Sequence, residues 1–397
     1  YVPESIKELE QLSGMEVIDL HKPNIDKITI KCKKCDQIAK RVLEVLDSWI
    51  EAGSASFAER HFPFNQNEKL EDFFPPDFIA EYTGQIRAWF YVLHVIGAAL
   101  YDSPAFKNVV VEGVILGTDG RKMSKNYGNF PDPKKLIELY GGDALRMYLL
   151  GSPVMNGEDI RISEIDYRDQ VKGTLLILWN TYNFFITYAR IDGWEPGDRE
   201  KGTGNSTQLG ALDRWILSRL NRLVLEVTQK LDGYDTSGAI SLYKKFVNEF
   251  STWYIRRSRD RVGPSSEQGD DRENFYKTTY SVLTILSQVI APITPFIAES
   301  MYRNLTDLES VHLELWPNES KDLIDNKLEE EMVYGQELAS VISAFRKEAG
   351  IKVKIPFIKL SYSGHKLTDE VLTIVKEEVN VEELEFTTDS EKYVIEG

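Results

Sequence analysis

An apolar run, a helical-period stretch and a second apolar run follow one another over residues 78–116, and few folds accommodate that order. Residues 78–84 read as a buried strand ending at Gly84. Residues 85–100 carry apolar side chains at helical spacing, and residues 109–116 read as the next strand. Strand, helix and strand over this length predict a right-handed βαβ unit of a parallel sheet, because a right-twisted strand feeding a helix packs back in one hand. Ligands of such sheets sit beyond the carboxyl ends of strands. Two polar segments fall at those ends, Glu81-Tyr82-Thr83-Gly84-Gln85 and Gly120-Arg121-Lys122-Met123-Ser124-Lys125-Asn126. Both are expected on one edge of the sheet.

Lys122 and Lys125 place two ammonium groups in one loop, which suits gripping a polyphosphate while charge builds on it. Gly120 and Gly128 would let the loop swing over a ligand and release it. The bland alternative is a pair of solvated surface lysines. In the other segment, Glu81 and Gln85 could hold a substrate ammonium and ribose hydroxyls, and Gly84 would let a ligand approach the backbone. The alternative is an ordinary strand-to-helix turn. His94 lies within the helical stretch and is expected to be an ordinary core or surface histidine.

After Pro131-Asp132-Pro133 the pattern turns helical through residue 205, and residues 196–210 have a linker's composition. Long helical periods follow over residues 212–231, 237–261 and 272–305, with Pro292 and Pro295 expected to break the last one. This predicts an all-α bundle. Residues 326–349 suggest one more helix. A small α/β tail should follow, with a strand near 358–362, a helix over 368–378 and a strand near 384–386. Within the bundle, Trp253, Arg256, Arg257, Arg259 and Arg261 combine cations with aromatics, a composition suited to phosphate contact and base stacking. The alternative is a basic helix face paired with acidic neighbours.

The 397 residues carry a net charge of −16, which argues against a protein that coats nucleic acid nonspecifically but leaves room for local basic patches. No run of about 18 apolar residues suggests a membrane span, and no secretory leader is apparent. The expected compartment is cytoplasmic. The first residue is Tyr1 and the opening reads as mid-domain sequence, so a piece of a longer protein is expected. Cys32 and Cys35 are the only cysteines. Their C-x-x-C spacing is half of a tetrahedral zinc site, and His21 and His61 have no partner at ligand spacing.

The lysine loop, Asp143-Ala144-Leu145-Arg146 and several further segments resemble the class I aminoacyl-tRNA synthetases, and among them the isoleucyl-tRNA synthetases. The further segments include His21-Lys22-Pro23, His61-Phe62-Pro63-Phe64, Arg87-Ala88-Trp89-Phe90-Tyr91, Leu212-Asp213-Arg214-Trp215-Ile216 and Ala349-Gly350-Ile351-Lys352-Val353. The resemblance runs over nearly the whole chain. It implies an α/β plus all-α fold: a linker and cysteine-pair β unit (1–40), the second half of a Rossmann-type parallel-sheet catalytic domain (41–133), a helical junction (134–205), an anticodon-binding bundle (206–325) and a C-terminal helix with a small α/β tail (326–397). It implies ATP-dependent formation of isoleucyl-adenylate and transfer to tRNA(Ile), with ATP and Mg2+. Zn2+ is implied if an upstream cysteine pair is present.

By motif position, Lys122 and Lys125 would act on the phosphates, together with Met123 and Ser124 of the loop. Glu81, Gly84 and Gln85 would meet the adenylate, and Trp253, Arg256, Arg257, Arg259 and Arg261 the tRNA. Tyr82 and Gly84 stand where the family usually has glycine and aspartate, so position 84 offers the adenylate no acidic side chain. No H-I-G-H motif exists, and neither the first half of the nucleotide fold nor an editing domain is found. The chain is therefore expected to need the missing N-terminal half for activity. A valyl- or leucyl-tRNA synthetase portion and a non-catalytic tRNA-binding module are the alternatives.

Overall fold

The computed structural model describes residues 1–44, 47–65, 67–197, 209–264, 266 and 269–388. They form two compact units, Tyr1–Val110 and Val111–Gly397. Most of the expected linker at 196–210, and the boundary expected at 205/206, lie outside the described residues.

The first unit opens with α1 (Ile6–Ser13), whose first turn is capped by the Ser5 hydroxyl accepting from the Glu8 N–H. A small antiparallel hairpin follows, β1 (Thr29–Lys31) and β2 (Ile38–Lys40), with Thr29 opposite Lys40. Cys32 and Cys35 sit in its turn. Two short helices, α2 (Ser48–Gly53) and α3 (Ala55–Ala58), precede β3 (Phe78–Tyr82), α4 (Trp89–Tyr101) and β4 (Asn108–Glu112). β3 pairs with β4, so strand, helix and strand occur in the expected order.

Two details differ from the sequence expectation. The first strand is not buried throughout: Ile79 is covered, whereas Phe78 and Tyr82 are exposed, because β3 has one strand partner among the described residues. The helix begins at Trp89 rather than 85. Residues Thr83–Arg87 form a 3-10 turn, and Ala88 (φ −129°, ψ −104°) breaks the spiral before α4. The Gln85 side-chain oxygen then accepts from the Trp89 N–H at 3.1 Å, satisfying one orphan donor at the new helix start. Helix α4 packs closely on α2: a Cβ on Gly53 would lie 2.6 Å from Val92 Cγ1.

In the second unit, the expected strand over 109–116 is broken at Gly113. A Cβ there would come within 1.9 Å of the Glu158 carbonyl oxygen, so only glycine lets the two backbones approach. Beyond it, β5 (Ile115–Leu116) pairs in parallel with β6 (Ile160–Arg161). Between them lie α5 (Pro133–Tyr140), started by Asp132 and a first-turn proline, and α6 (Gly142–Leu150). Next come α7 (Glu164–Gln170), a π-turn and α8 (Leu176–Asp192).

The bundle consists of α9 (Ala211–Asp232), α10 (Thr236–Glu249), α11 (Asp270–Ile290), α12 (Pro295–Thr306) and α13 (Asn326–Glu348). The chain breaks between α11 and α12 at Pro292 and Pro295, as expected. The tail is β7 (Phe357–Tyr362), α14 (Asp369–Val379) and β8 (Val381–Phe386), the strands parallel with Leu360 opposite Leu384. One apolar core joins bundle and tail. Phe246, Phe250, Tyr254 and Phe275 stack through it at centroid spacings of 6.1, 5.8 and 6.1 Å. No helix of the described residues is long and apolar enough to cross a membrane.

Candidate functional site

The lysine loop leaves β5 at Gly117 and is closed by Asn129, which is 7% exposed. The Asn129 amide donates to Asp119 Oδ1 at 2.9 Å and to the Lys122 carbonyl at 3.3 Å. Its oxygen accepts from the Ser124 N–H at 3.0 Å. Its backbone carbonyl accepts from the Thr118 N–H at 2.9 Å. One residue therefore ties both ends of the loop to its middle. Gly117 makes room for it, since a Cβ there would lie 2.4 Å from Asn129.

Asp119 completes the frame. The Arg121 N–H, the Asn129 amide and the Arg121 guanidinium hold its carboxyl at about 2, well below the usual range. Arg121 in turn lies 4.8 Å from the centre of the Tyr127 ring.

Lys122 and Lys125 are both exposed, and among the described residues neither ammonium has an ion-pair partner. Met123 and Ser124, between them in sequence, are half-buried. The loop thus combines a fixed backbone with two free charges, which is what binding a polyanion requires. The Arg161 side chain lies at its base: a Cβ on Gly120, where φ is +79°, would sit 2.9 Å from Arg161 Nε. Nothing in the sequence marked Asn129, Asp119 or Arg161. Asn129 and Asp119 act through bonds within the loop itself, whereas Arg161 reaches it because β5 and β6 meet, a contact between segments about 45 residues apart.

Glu81, Gly84 and Gln85 belong to the first unit. Glu81 is exposed at the end of β3, and Gln85 caps α4. The Tyr82 ring lies across Gly84, whose missing Cβ would be 2.4 Å from Tyr82 Cε2 and 2.7 Å from its hydroxyl oxygen. The aromatic ring therefore fills the space that a side chain at 84 would need.

The Asp143–Arg146 segment that follows the lysine loop ties α6 to the bundle. The buried Asp143 carboxylate accepts from the Phe296 and Ile297 N–H groups at 3.2 and 2.8 Å, capping α12. Burial pushes its pKa up, opposed by those two hydrogen bonds and by Arg146. Arg146 donates to the Pro292 and Ile293 carbonyls at 2.7 and 2.8 Å. Acid and base thus clasp the corner between α11 and α12 from its two ends.

The segment 253–261 passes through a π-turn (Phe250–Ile255) and ends in a 3-10 turn (Arg259–Arg261). Trp253 is 7% exposed, with its indole N–H directed at Met332 Sδ at 3.1 Å. Arg261 forms a two-pronged pair with Asp213 at 2.9 and 2.8 Å, and the Tyr254 hydroxyl donates to the same carboxylate at 2.7 Å. Burial alone would lower the Arg261 pKa, but the Asp213 carboxylate reverses the direction and raises it. Arg257 pairs with Glu377 and Glu378, and Arg256 with Glu378. Arg259 is exposed and has no ion-pair partner among the described residues.

Cys32 and Cys35 are free thiols. The N–H groups of Lys34 and Cys35, then the Cys35 side chain, lower the Cys32 pKa. Donors aimed at a sulfur favour a thiolate, the form that ligates metal. Two thiols supply only half of a zinc site, and the described residues hold no group of three or more metal-ligating side chains.

Comparison with known proteins bears on these arrangements. Residues 3–163 match the family model of class I tRNA synthetases (I, L, M and V), and residues 213–362 match the anticodon-binding domain of tRNA ligases. The chain is 41% identical to the isoleucine–tRNA ligase of Treponema denticola over 96% of its own length and 36% of that protein. It is 42% identical to that of Protochlamydia amoebophila over 99% of its own length and 38% of that protein. It therefore spans just over a third of the length of the curated relatives it matches.

Two solved structures share the fold. A leucyl-tRNA synthetase of Agrobacterium radiobacter K84, in ternary complex with tRNA and LeuAMS, aligns with a TM-score of 0.57 at 16% identity, covering 93% of this chain and 44% of that one. The Mycobacterium tuberculosis methionyl-tRNA synthetase, in complex with methionyl-adenylate, gives 0.53 at 18% identity, covering 69% of this chain and 52% of that one. The two family matches and the isoleucine–tRNA ligase relatives together place this chain in the class I aminoacyl-tRNA synthetase family.

Proposed function

We propose that this chain supplies the phosphate-gripping loop and the tRNA-binding bundle of an isoleucine–tRNA ligase. The observation that carries this reading is the loop of residues 117–129. It holds a rigid backbone on Asn129 and Asp119 and leaves the Lys122 and Lys125 ammonium groups unpaired. The identity of 41–42% to isoleucine–tRNA ligases over nearly the whole chain supports the choice of amino acid.

In the proposed reaction, the isoleucine carboxylate attacks the α-phosphorus of ATP, taken as its magnesium complex. The bond to the bridging oxygen breaks, and pyrophosphate leaves. Lys122 and Lys125 balance charge gathering on the departing phosphates, and Arg161 adds a third cation at the base of the loop. Glu81 and Gln85 contact the adenylate, with Gly84 beside it under the Tyr82 ring. The terminal ribose hydroxyl of tRNA(Ile) then attacks the acyl carbon and releases AMP. Exposed Arg256 and Arg259 contact tRNA phosphates, while buried Trp253 and half-buried Arg257 and Arg261 hold that segment in place.

The test is isoleucine-dependent ATP–pyrophosphate exchange, measured with the chain alone and with the rest of a relative's length supplied in trans. Exchange is expected in the complemented mixture, and Lys122→Ala should lower its rate by roughly 100- to 1000-fold, the usual effect of losing one transition-state charge partner. Exchange with another amino acid but not isoleucine would overturn the specificity. No exchange with any amino acid in a folded mixture that still binds tRNA would favour a non-catalytic module.

A further inference from the structure

The loop between α13 and β7 is held by an unusual group. Arg346 is 1% exposed and has no carboxylate partner among the described residues. Its guanidinium donates instead to backbone carbonyls: Ile355 at 2.8 Å, Val379 at 3.1 Å and Asn380 at 2.8 Å. The Asn380 amide adds a bond to the Val353 carbonyl at 2.9 Å. A buried cation whose hydrogen bonds all go to backbone carbonyls fixes a backbone shape while keeping its charge. The loop so fixed exposes Lys352 and Lys354, Lys347 is exposed in the last turn of α13 beside it, and none of the three has an ion-pair partner among the described residues. In a chain of net charge −16, unpaired cations on a pinned loop stand out from the acidic surroundings.

Position adds a second observation. Arg346 and Asn380 secure the loop to the last turn of α14. Arg256 and Arg257 secure the arginine segment to Glu377 and Glu378 of the same turn. Two basic segments nearly a hundred residues apart in sequence thus converge within one turn of a single helix.

We infer that these segments form one continuous RNA-contacting surface, in which Lys347, Lys352 and Lys354 carry the phosphate contacts of Arg256 and Arg259 onward past the end of α14. This rests on the proposed tRNA-binding role of the arginine segment and adds three residues to it. Phosphate contact is the interaction that compact, mobile ammonium groups on a rigid loop serve best.

The experiment is fluorescence anisotropy of a labelled tRNA(Ile) transcript with the 397-residue chain, titrated across a range of KCl concentrations. Lys352→Ala/Lys354→Ala is compared with Arg259→Ala and with Lys277→Ala, a lysine already paired with Glu273. The double variant should weaken binding about tenfold and reduce the salt slope by about two, one for each phosphate that is no longer neutralised. Lys277→Ala should match wild type. Both mutated lysines are exposed, so the melting temperature should stay unchanged, which rules out misfolding as the cause. Wild-type affinity and slope in the double variant, with Arg259→Ala weakened, would overturn the inference while leaving the arginine segment's role intact. Displacement of the RNA by poly-glutamate at equal charge concentration would overturn it in favour of an acidic protein partner. No tRNA binding by wild type would overturn both readings.

Discussion

The lysine loop and the arginine segment are both dense in positive charge, and the fold uses them in opposite ways. In residues 117–129 the neutral and acidic groups, Asn129 and Asp119, hold the backbone, and Lys122 and Lys125 are left free. In residues 253–261 the cations themselves do the holding. Arg261 is spent on buried Asp213, and Arg257 on Glu377 and Glu378, while Arg259 stays in solvent. The side chains explain the difference. A guanidinium presents a planar fork that grips a carboxylate in two places, whereas an ammonium is a hydrated point charge on a flexible stem. Basic composition alone therefore does not say whether a segment binds a ligand or braces its own domain.

The contrast breaks most readily at Arg261. Arg261→Ala would strand the Asp213 carboxylate, which is 1% exposed, and should destabilise the second unit by about 3–5 kcal/mol in chemical denaturation. Arg259→Ala should stay within about 0.5 kcal/mol of wild type. Equal midpoints for the two variants would show that bracing and free arginines cannot be told apart by their pairing.

A smaller effect is expected at Asn129. Its replacement by alanine removes the partners of the Ser124 N–H and the Lys122 carbonyl, worth about 1–3 kcal/mol locally. Amide exchange across residues 117–129 should speed up while the global melting temperature barely moves. Unchanged exchange would mean that the loop is held by something other than this side chain.

The smallest effect is a pH response of the same loop. The Asp119 pKa of about 2 lies below its ordinary value of 3.8, so the folded loop resists protonation. Its contribution is complete above roughly pH 4 and is lost as pH falls through about 2. Loop amide protection, corrected for intrinsic exchange, should decline over that window in wild type and show no such step in Asp119→Asn.

Much of this was legible in the chain. The order of strand, helix and strand, the long helical periods of the bundle, the break at Pro292 and Pro295, and the tail's strand–helix–strand all follow from local periodicity and backbone chemistry. The errors lie where a distant backbone intervenes or a local turn departs from the helical period. Gly113 ends one strand because Glu158 passes against it, and the helix expected from residue 85 starts at Trp89 after a 3-10 turn. Asp143 and Arg146 stood out as a motif beside the lysine loop. That they clasp the α11–α12 corner, about 150 residues on, was not readable from spacing.

By itself, the sequence determined the element order, the two lysines three residues apart in a glycine-flanked loop, and the family to which these motifs belong. These are local properties, set by the side chains and backbone preferences of neighbouring residues. Only the tertiary structure decided which charges remain free. Whether Arg261, Arg346 or Lys125 faces solvent depends on a carboxylate or carbonyl brought in from elsewhere in the chain. In a buried setting a cation without such a partner is too unfavourable to persist.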